Sequence, residues 1–225
     1  MAGKVFFSVS MSLDGFVAPE ERADVELWSK LTGWDMTDAG VQRWVGRWTE
    51  LQQWKIATQF TQDNLGMGGE GEVGRDNDIA RETFERTGAT VLGRRMFDLG
   101  EQSWPEDAPY HTPVFVLTHE KRDPWERLGG TTFHFVNDGI ETALDRARVA
   151  AGDRDVCVAG GGETILQYVN AGLVDEFSIA LSPVLIGAGI RLFEGIDADR
   201  VALEQVGAET SPRATHLTYA VRARK

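Results

Sequence analysis

Basic side chains are the minority in this sequence: 23 lysines and arginines stand against 35 aspartates and glutamates, a formal net charge of −12. Phosphate backbones and anionic bilayers each need a basic footprint, so nucleic acid and membranes are excluded as main partners. Cysteine is scarcer still. The one thiol, Cys157, lies inside an apolar run with no second cysteine to pair with. That excludes an internal disulfide and fits a reducing cytoplasm. One cysteine and four scattered histidines give no zinc set, and no metal is expected. The opening MAGKVFFSVS lacks the pattern of a signal peptide, and no apolar run approaches a membrane span. Internal repeats, low-complexity linkers and a nucleophile–base arrangement are also missing.

The chain does have 42% hydrophobic residues over 225 positions, enough for one domain with a real core. Its organising stretch is 156–177, VCVAGGGETILQYVNAGLVDEF. Val156, Cys157, Val158 and Ala159 read as a buried strand. Gly160, Gly161 and Gly162 follow directly. Ile165, Leu166 and Val169 then share one helical face, and Gly172 stands where a C′ glycine would end that helix. Backbone N–H groups and the positive end of a helix dipole can approach an anion at such a junction. The same run also reads as a plain tight turn. It has neither the GxGxxG spacing nor the Lys-Ser/Thr of a Walker A loop, and Glu163 in the first turn would repel a phosphate aimed at it.

Residues 4–10 read as a first strand, running into an Asp14-Gly15 turn. Asp14 is either a turn-former whose carboxylate accepts from nearby N–H groups or a participant in proton delivery. Residues 20–85 hold 14 of the acidic and 7 of the basic residues, and five of the seven tryptophans: Trp28, Trp34, Trp44, Trp48 and Trp54. Val41, Trp44, Val45 and Trp48 recur at helical spacing, an aromatic face suited to core, to a subunit contact or to stacking of a flat substrate. Residues 66–74 are too glycine-rich for regular structure and read as a loop or lid. A helix over 75–87 is expected to end at Gly88, before a buried strand at 89–92. Gly93-Arg94-Arg95-Met96 follows, and a paired arginine at such a turn suits phosphate. Residues 114–117 form a third buried strand, leading into Thr118-His119-Glu120-Lys121-Arg122. Asp138 and Glu141 are spaced as a capping box for the next helix. Residues 176–186 read as a strand interrupted at Pro183, and 201–206 with 215–222 as a closing antiparallel pair.

The turns at Gly93, Thr118 and Gly160 all follow buried strands. In a mainly parallel sheet those strand ends share one edge, where ligands of open α/β sheets bind.

Taken together, SMSLDGFVA (10–18), VLGRRMFD (91–98), PVFVLTH (113–119), AGGGET (159–164) and PVLIGAGIRLF (183–193) resemble the dihydrofolate reductase-like family. The nearer branch is the reductase domain of the riboflavin-biosynthesis deaminase-reductase and its stand-alone bacterial relatives. The five pieces come in the family's order and cover nearly all the chain outside 20–75. The resemblance implies an α/β three-layer sandwich with a mostly parallel central sheet and an antiparallel C-terminal edge. It makes 1–225 one reductase domain carrying a tryptophan-rich insertion at about 20–75. It also implies NADPH as hydride donor. Gly93, Arg94, Arg95 and Met96 then match the turn that holds the cofactor's phosphates. Leu117, Thr118 and His119 match the turn near the adenosine 2′-phosphate. Ala159, Gly160, Gly161, Gly162, Glu163 and Thr164 match the turn that supports the pyrophosphate, with a cis Gly160–Gly161 bond. Arg94, Arg95, Lys121 and Arg122 offer charge for a 2′-phosphate. Relatives carry a substrate-binding acid on the helix before the arginine turn, where this chain offers Asp76, Asp78, Glu82 and Glu85 without the spacing singling one out.

The resulting expectation is an NADPH-dependent reductase of a small planar conjugated heterocycle, a homodimer like many relatives, with Asp14, Asp78 or water delivering the proton. Two rivals stand beside it: a flavin- or deazaflavin-linked reductase of the same fold, and a non-catalytic ligand-binding protein.

Overall fold

A computed structural model of the chain describes residues 3–19 and 25–224; residues 20–24, at the start of the expected insertion, lie outside them, as do 1–2 and 225. In chain order, β1 (Val5–Ser12) turns into β2 (Phe16–Ala18), and the tryptophan-rich stretch supplies α1 (Val25–Thr32), α2 (Ala39–Ile56) and α3 (Gln59–Asn64). Then come α4 (Arg75–Arg86), β3 (Thr87–Gly93), α5 (Arg94–Glu101), β4 (Pro113–Leu117), β5 (Trp125–Glu126) and β6 (Thr132–Val136). The chain continues through α6 (Ile140–Ala151), β7 (Asp155–Gly160), α7 (Gly162–Asn170), β8 (Glu176–Ser182), β9 (Ile190–Arg191), β10 (Val201–Thr210) and β11 (Thr215–Ala223).

Nine strands form one sheet in the order β10-β11-β8-β1-β7-β3-β4-β6-β5. Neighbours from β8 to β6 run parallel, and β11 and β10 close the far edge antiparallel. This is the expected α/β three-layer sandwich with its antiparallel C-terminal edge. A short antiparallel β5 on the opposite edge was not foreseen. Helices cover both faces, as a parallel sheet requires.

The two faces differ in kind. On the first, Val5 and Phe7 of β1, Val156 and Val158 of β7, Val91 of β3 and Phe177 of β8 pack under Leu144 and Ala147 of α6 and Ile165, Tyr168 and Val169 of α7. Phe7 and Phe177 stack with ring centroids 4.7 Å apart. Each fully buried aromatic of this kind contributes about 1.5–3 kcal/mol of burial. The Tyr168 hydroxyl keeps its hydrogen bond by donating to the Ile140 carbonyl at 2.7 Å. On the second face the registered pairs Ser8–Ser178, Ser10–Ala180, Ser12–Ser182 and Phe6–Cys157 place mostly small side chains in the middle of the sheet. Larger groups return only toward β4, where Leu92, Val114, Val116 and Phe133 pack against Phe97 of α5.

Asp38 caps α2 by accepting from the Gly40 and Val41 N–H groups. Val41 and Trp44 on the aromatic face of α2 are buried against Leu31 of α1, and Trp48 stacks on Trp44. Further along α2, Leu51 is buried beside Phe16 and Ile186, and Trp54 beside Ala180 and Ala214. The aromatic face is therefore largely core within this chain.

Two local expectations are corrected. Gly88 does not end a helix: α4 passes directly into β3, and Gly88 is buried inside the strand. A Cβ there would lie 2.7 Å from Cβ of Arg154 and 2.8 Å from the Ala151 carbonyl, so close approach of the end of α6 is what demands glycine. Asp138 and Glu141 form no capping box, because Gly139 occupies the N-cap at φ 96° without a side-chain cap. Asp138 reaches Arg146 instead, at 3.5 Å.

Candidate active site

The parallel strands β7, β3 and β4 all end at the same sheet edge and bring their three turns side by side. A Cβ on Gly93 would lie 2.3 Å from Thr164 Oγ1 and 3.7 Å from the Gly160 carbonyl oxygen, so the first and third turns touch. Gly160, at φ 135°, faces the Met96 sulfur, and its bond to Gly161 is cis. A Cβ on Gly161 would meet nothing within 4 Å. Helices α5 and α7 start at Gly93 and Gly161, and neither start has a side-chain cap. First-turn N–H groups without an intrahelical partner, at two neighbouring helix starts, suit an anion.

The arginines at this edge already have partners. Arg94 bonds Asp98 at 2.5 Å and Glu120 at 2.6 Å, and reaches Thr118 Oγ1 at 3.5 Å. Hydrogen bonds to those two carboxylates hold the Arg94 pKa up, and Arg94 holds Glu120 down. The Arg95 guanidinium lies 4.1 Å from the centroid of the Trp28 ring. Arg122 bonds Glu101 at 2.6 Å and covers Phe135. Leu117 and Thr118 are half-buried, whereas His119 and Lys121 are exposed.

The two candidate proton carriers lie apart. Asp14 accepts from Ser12 Oγ at 2.6 Å and from the Ile186 and Gly187 N–H groups at 3.1 and 2.7 Å. Its carboxyl is held at about 2, chiefly by the Ser12 hydrogen bond. Those bonds make it a clamp between the β1–β2 turn and the 186–187 bend. Asp78 is exposed on α4. The inward acid of that helix is Asp76, whose Oδ1 lies 2.7 Å from His216 Nε2. Their side chains are only 10% and 7% exposed.

Sequence reading missed a recess on the second face of the sheet. β7 is the central strand, yet its residues alternate: Val156 and Val158 are buried under α6 and α7, while Cys157 and Ala159 stay half-buried on the other side. Ser8 of β1 is likewise half-buried. Lys55 of α2 and Tyr110, from the segment between α5 and β4, flank this opening. Lys55 is exposed and Tyr110 half-buried, yet burial lowers the Lys55 pKa, raises that of Tyr110 and pushes the Cys157 thiol up to about 11. Half-buried small residues on the middle strands of a sheet covered by helices on both faces leave an opening there. The serines at alternate positions of VFFSVSMS were the sequence signal for it, since an ordinary buried strand would place apolar residues there.

Among the described residues, no group of three or more His, Cys, Asp or Glu is placed to hold a metal ion, and no helix is long and apolar enough to cross a membrane.

Comparison with known proteins agrees with this architecture. The chain is 31% identical over 160 residues to the uncharacterized protein YyaP of Bacillus subtilis (strain 168), covering 67% of this chain and 84% of YyaP. It is 32% identical over 151 residues to the uncharacterized protein YwjB of the same organism, covering 67% and 80%. A solved structure assigned to riboflavin biosynthesis, from Shewanella sp. PV-4, superposes with a TM-score of 0.60 at 20% identity over 97% of this chain and 99% of that one. Dihydrofolate reductase from Enterococcus faecalis, complexed with NADP(H) and RAB-propyl, superposes with a TM-score of 0.52 at 14% identity over 99% and 98%. The family model for the RibD C-terminal domain matches residues 3–217. This chain is a member of the RibD C-terminal domain family.

Proposed function

We propose that the protein is an NADPH-dependent reductase acting on a small planar, conjugated substrate. The observation that carries this reading is the meeting of Gly93, Met96, Gly160 and Thr164 at two uncapped helix starts on one sheet edge. The cradle is glycine-lined where a backbone must approach a phosphate closely: a Cβ on Gly93 would fill it, and Gly161 faces open space. NADPH supplies a hydride when bound. The first-turn N–H groups of α5 and α7 would hold its pyrophosphate, and Arg94, Thr118 and Lys121 would hold its 2′-phosphate. The recess beside Ala159 lies next to this edge and would orient the acceptor, the alignment on which a hydride transfer chiefly depends. Asp14, ionised at neutral pH and fully used as a clamp, is not the proton donor in this reading, which leaves that step to water entering the recess.

The test is titration with NADPH and NADH, following tryptophan quenching and energy transfer to the nicotinamide. Saturable binding that prefers NADPH and is lost in Arg94→Ala and Gly161→Val supports the reading. Binding of neither nucleotide overturns it.

A further inference from the structure

Lys55 differs from the arginines described around the site. Arg86, Arg94 and Arg122 each bond a carboxylate. Among the described residues, Lys55 has neither an ion pair nor a side-chain hydrogen bond; the one charge interaction it shows is with the thiol of Cys157. Its position is fixed on both sides along α2. Gln52 accepts from Ser10 Oγ at 2.7 Å, and Trp54 Nε1 donates to the same hydroxyl at 2.8 Å. One residue further, the Lys55 carbonyl accepts from Thr58 Oγ1 at 2.8 Å. The helix is thus pinned to β1 just where Lys55 meets the recess floored by Cys157. Ser8, Ala159, Cys157 and the Tyr110 phenol are uncharged, and Arg86, the other cation whose charge reaches Cys157, is paired with Asp155 and Glu176. An ammonium without a counter-ion, held over a floor of small uncharged side chains, leaves the negative partner to a ligand.

We propose that Lys55 anchors an oxyanion of the substrate, a carboxylate or a phosphate on a planar ring, against the recess floor formed by Ser8, Cys157 and Ala159. This deepens the reductase reading and rests on it for calling the ligand a substrate. Small floor residues leave room for a flat ring. In a protein of net charge −12, one local cation of this kind also determines where an anionic acceptor can bind.

Cys157, the only thiol in the chain, provides a readout separate from turnover. Its modification by methyl methanethiosulfonate is timed in the presence of benzoate, phenyl phosphate or benzamide. Benzoate, phenyl phosphate or both are expected to protect saturably, at concentrations at least about tenfold below any protection by benzamide, and which of them does so identifies the oxyanion. Lys55→Met should remove the preference and Lys55→Arg restore it, with circular dichroism confirming that both variants fold. Equal protection by benzamide, or a preference that survives Lys55→Met, overturns the proposal. NADPH titration of the same samples separates the two readings. A preference without NADPH binding keeps the oxyanion site and sinks the reductase, whereas NADPH binding without a preference does the reverse.

Discussion

His216, near the start of the last strand, bonds Asp76, near the start of α4, at 2.7 Å across 140 residues of chain. The imidazole also meets the Trp54 ring edge-on at 4.9 Å. One buried contact thereby joins α4, β11 and the long helix α2. Removing either partner leaves the other buried without its bond, so Asp76→Ala and His216→Ala should each cost about 2–4 kcal/mol. The double variant should cost clearly less than the sum of the two. Urea unfolding of all three checks this, and additive losses would show that the pair is not coupled.

Gly88→Ala should destabilise by about 1–3 kcal/mol, because the new methyl overlaps the Ala151 carbonyl and the Arg154 side chain. Ala151→Gly does not relieve that overlap, since the obstructing atoms are backbone and Arg154. Thermal unfolding of Gly88→Ala at or above the wild-type midpoint would contradict the close approach.

Asp14 predicts an acid-side effect. Its folded pKa, about 2, lies below its ordinary 3.8, so the stability it adds is complete above the ordinary value and is lost as pH falls through about 2. Asp14→Asn should therefore lower the urea midpoint at pH 6 and approach wild type near pH 2. A deficit that stays constant over that range would mean the carboxylate's charge plays no part.

Glu120 competes for the guanidinium that a 2′-phosphate would need. Removing that competitor, Glu120→Gln should tighten NADPH by about two- to fivefold and leave NADH unchanged. Equal gains for both nucleotides would place the effect elsewhere.

The Cys157 thiol gives a pH prediction of its own. Raised from 9.0 to about 11, it holds about 100-fold less thiolate at pH 8 than an unperturbed thiol, so alkylation should be slow there and keep rising beyond pH 10. Burial is the main cause, and the charges of Lys55 and Arg86 oppose it. Lys55→Met should slow alkylation further, and a faster rate in that variant would contradict the proximity.

Local signals carried most of the fold. The apolar run at 156–159 and Gly172 at φ 69° form β7 and the end of α7 as their sequence suggested, and the cis Gly160–Gly161 bond is the one the family resemblance implied. The meeting of the Gly93 and Gly160 turns was legible because parallel strands put their ends together whatever lies between. What stayed hidden depends on facing and not on spacing. Four acids on α4 look alike in sequence, and only packing against β11 selects Asp76 over Asp78. Lys55, Tyr110 and Cys157 come from three distant segments, and nothing near any of them announces the others. Gly88 looked like a helix stop because its true neighbour, the end of α6, lies more than sixty positions later.

The uneven sheet divides labour along the chain. The close-packed face draws on α6 and α7, while the recess takes Lys55 from α2, a helix outside the turns that follow β3, β4 and β7. On the proposed reading, the few positions around Lys55 could be redrawn to change the acceptor while the proposed nucleotide edge stays as it is. Related chains sharing the AGGGET turn would then form a set of interchangeable specificities on one chassis, told apart by what α2 presents to the middle strand.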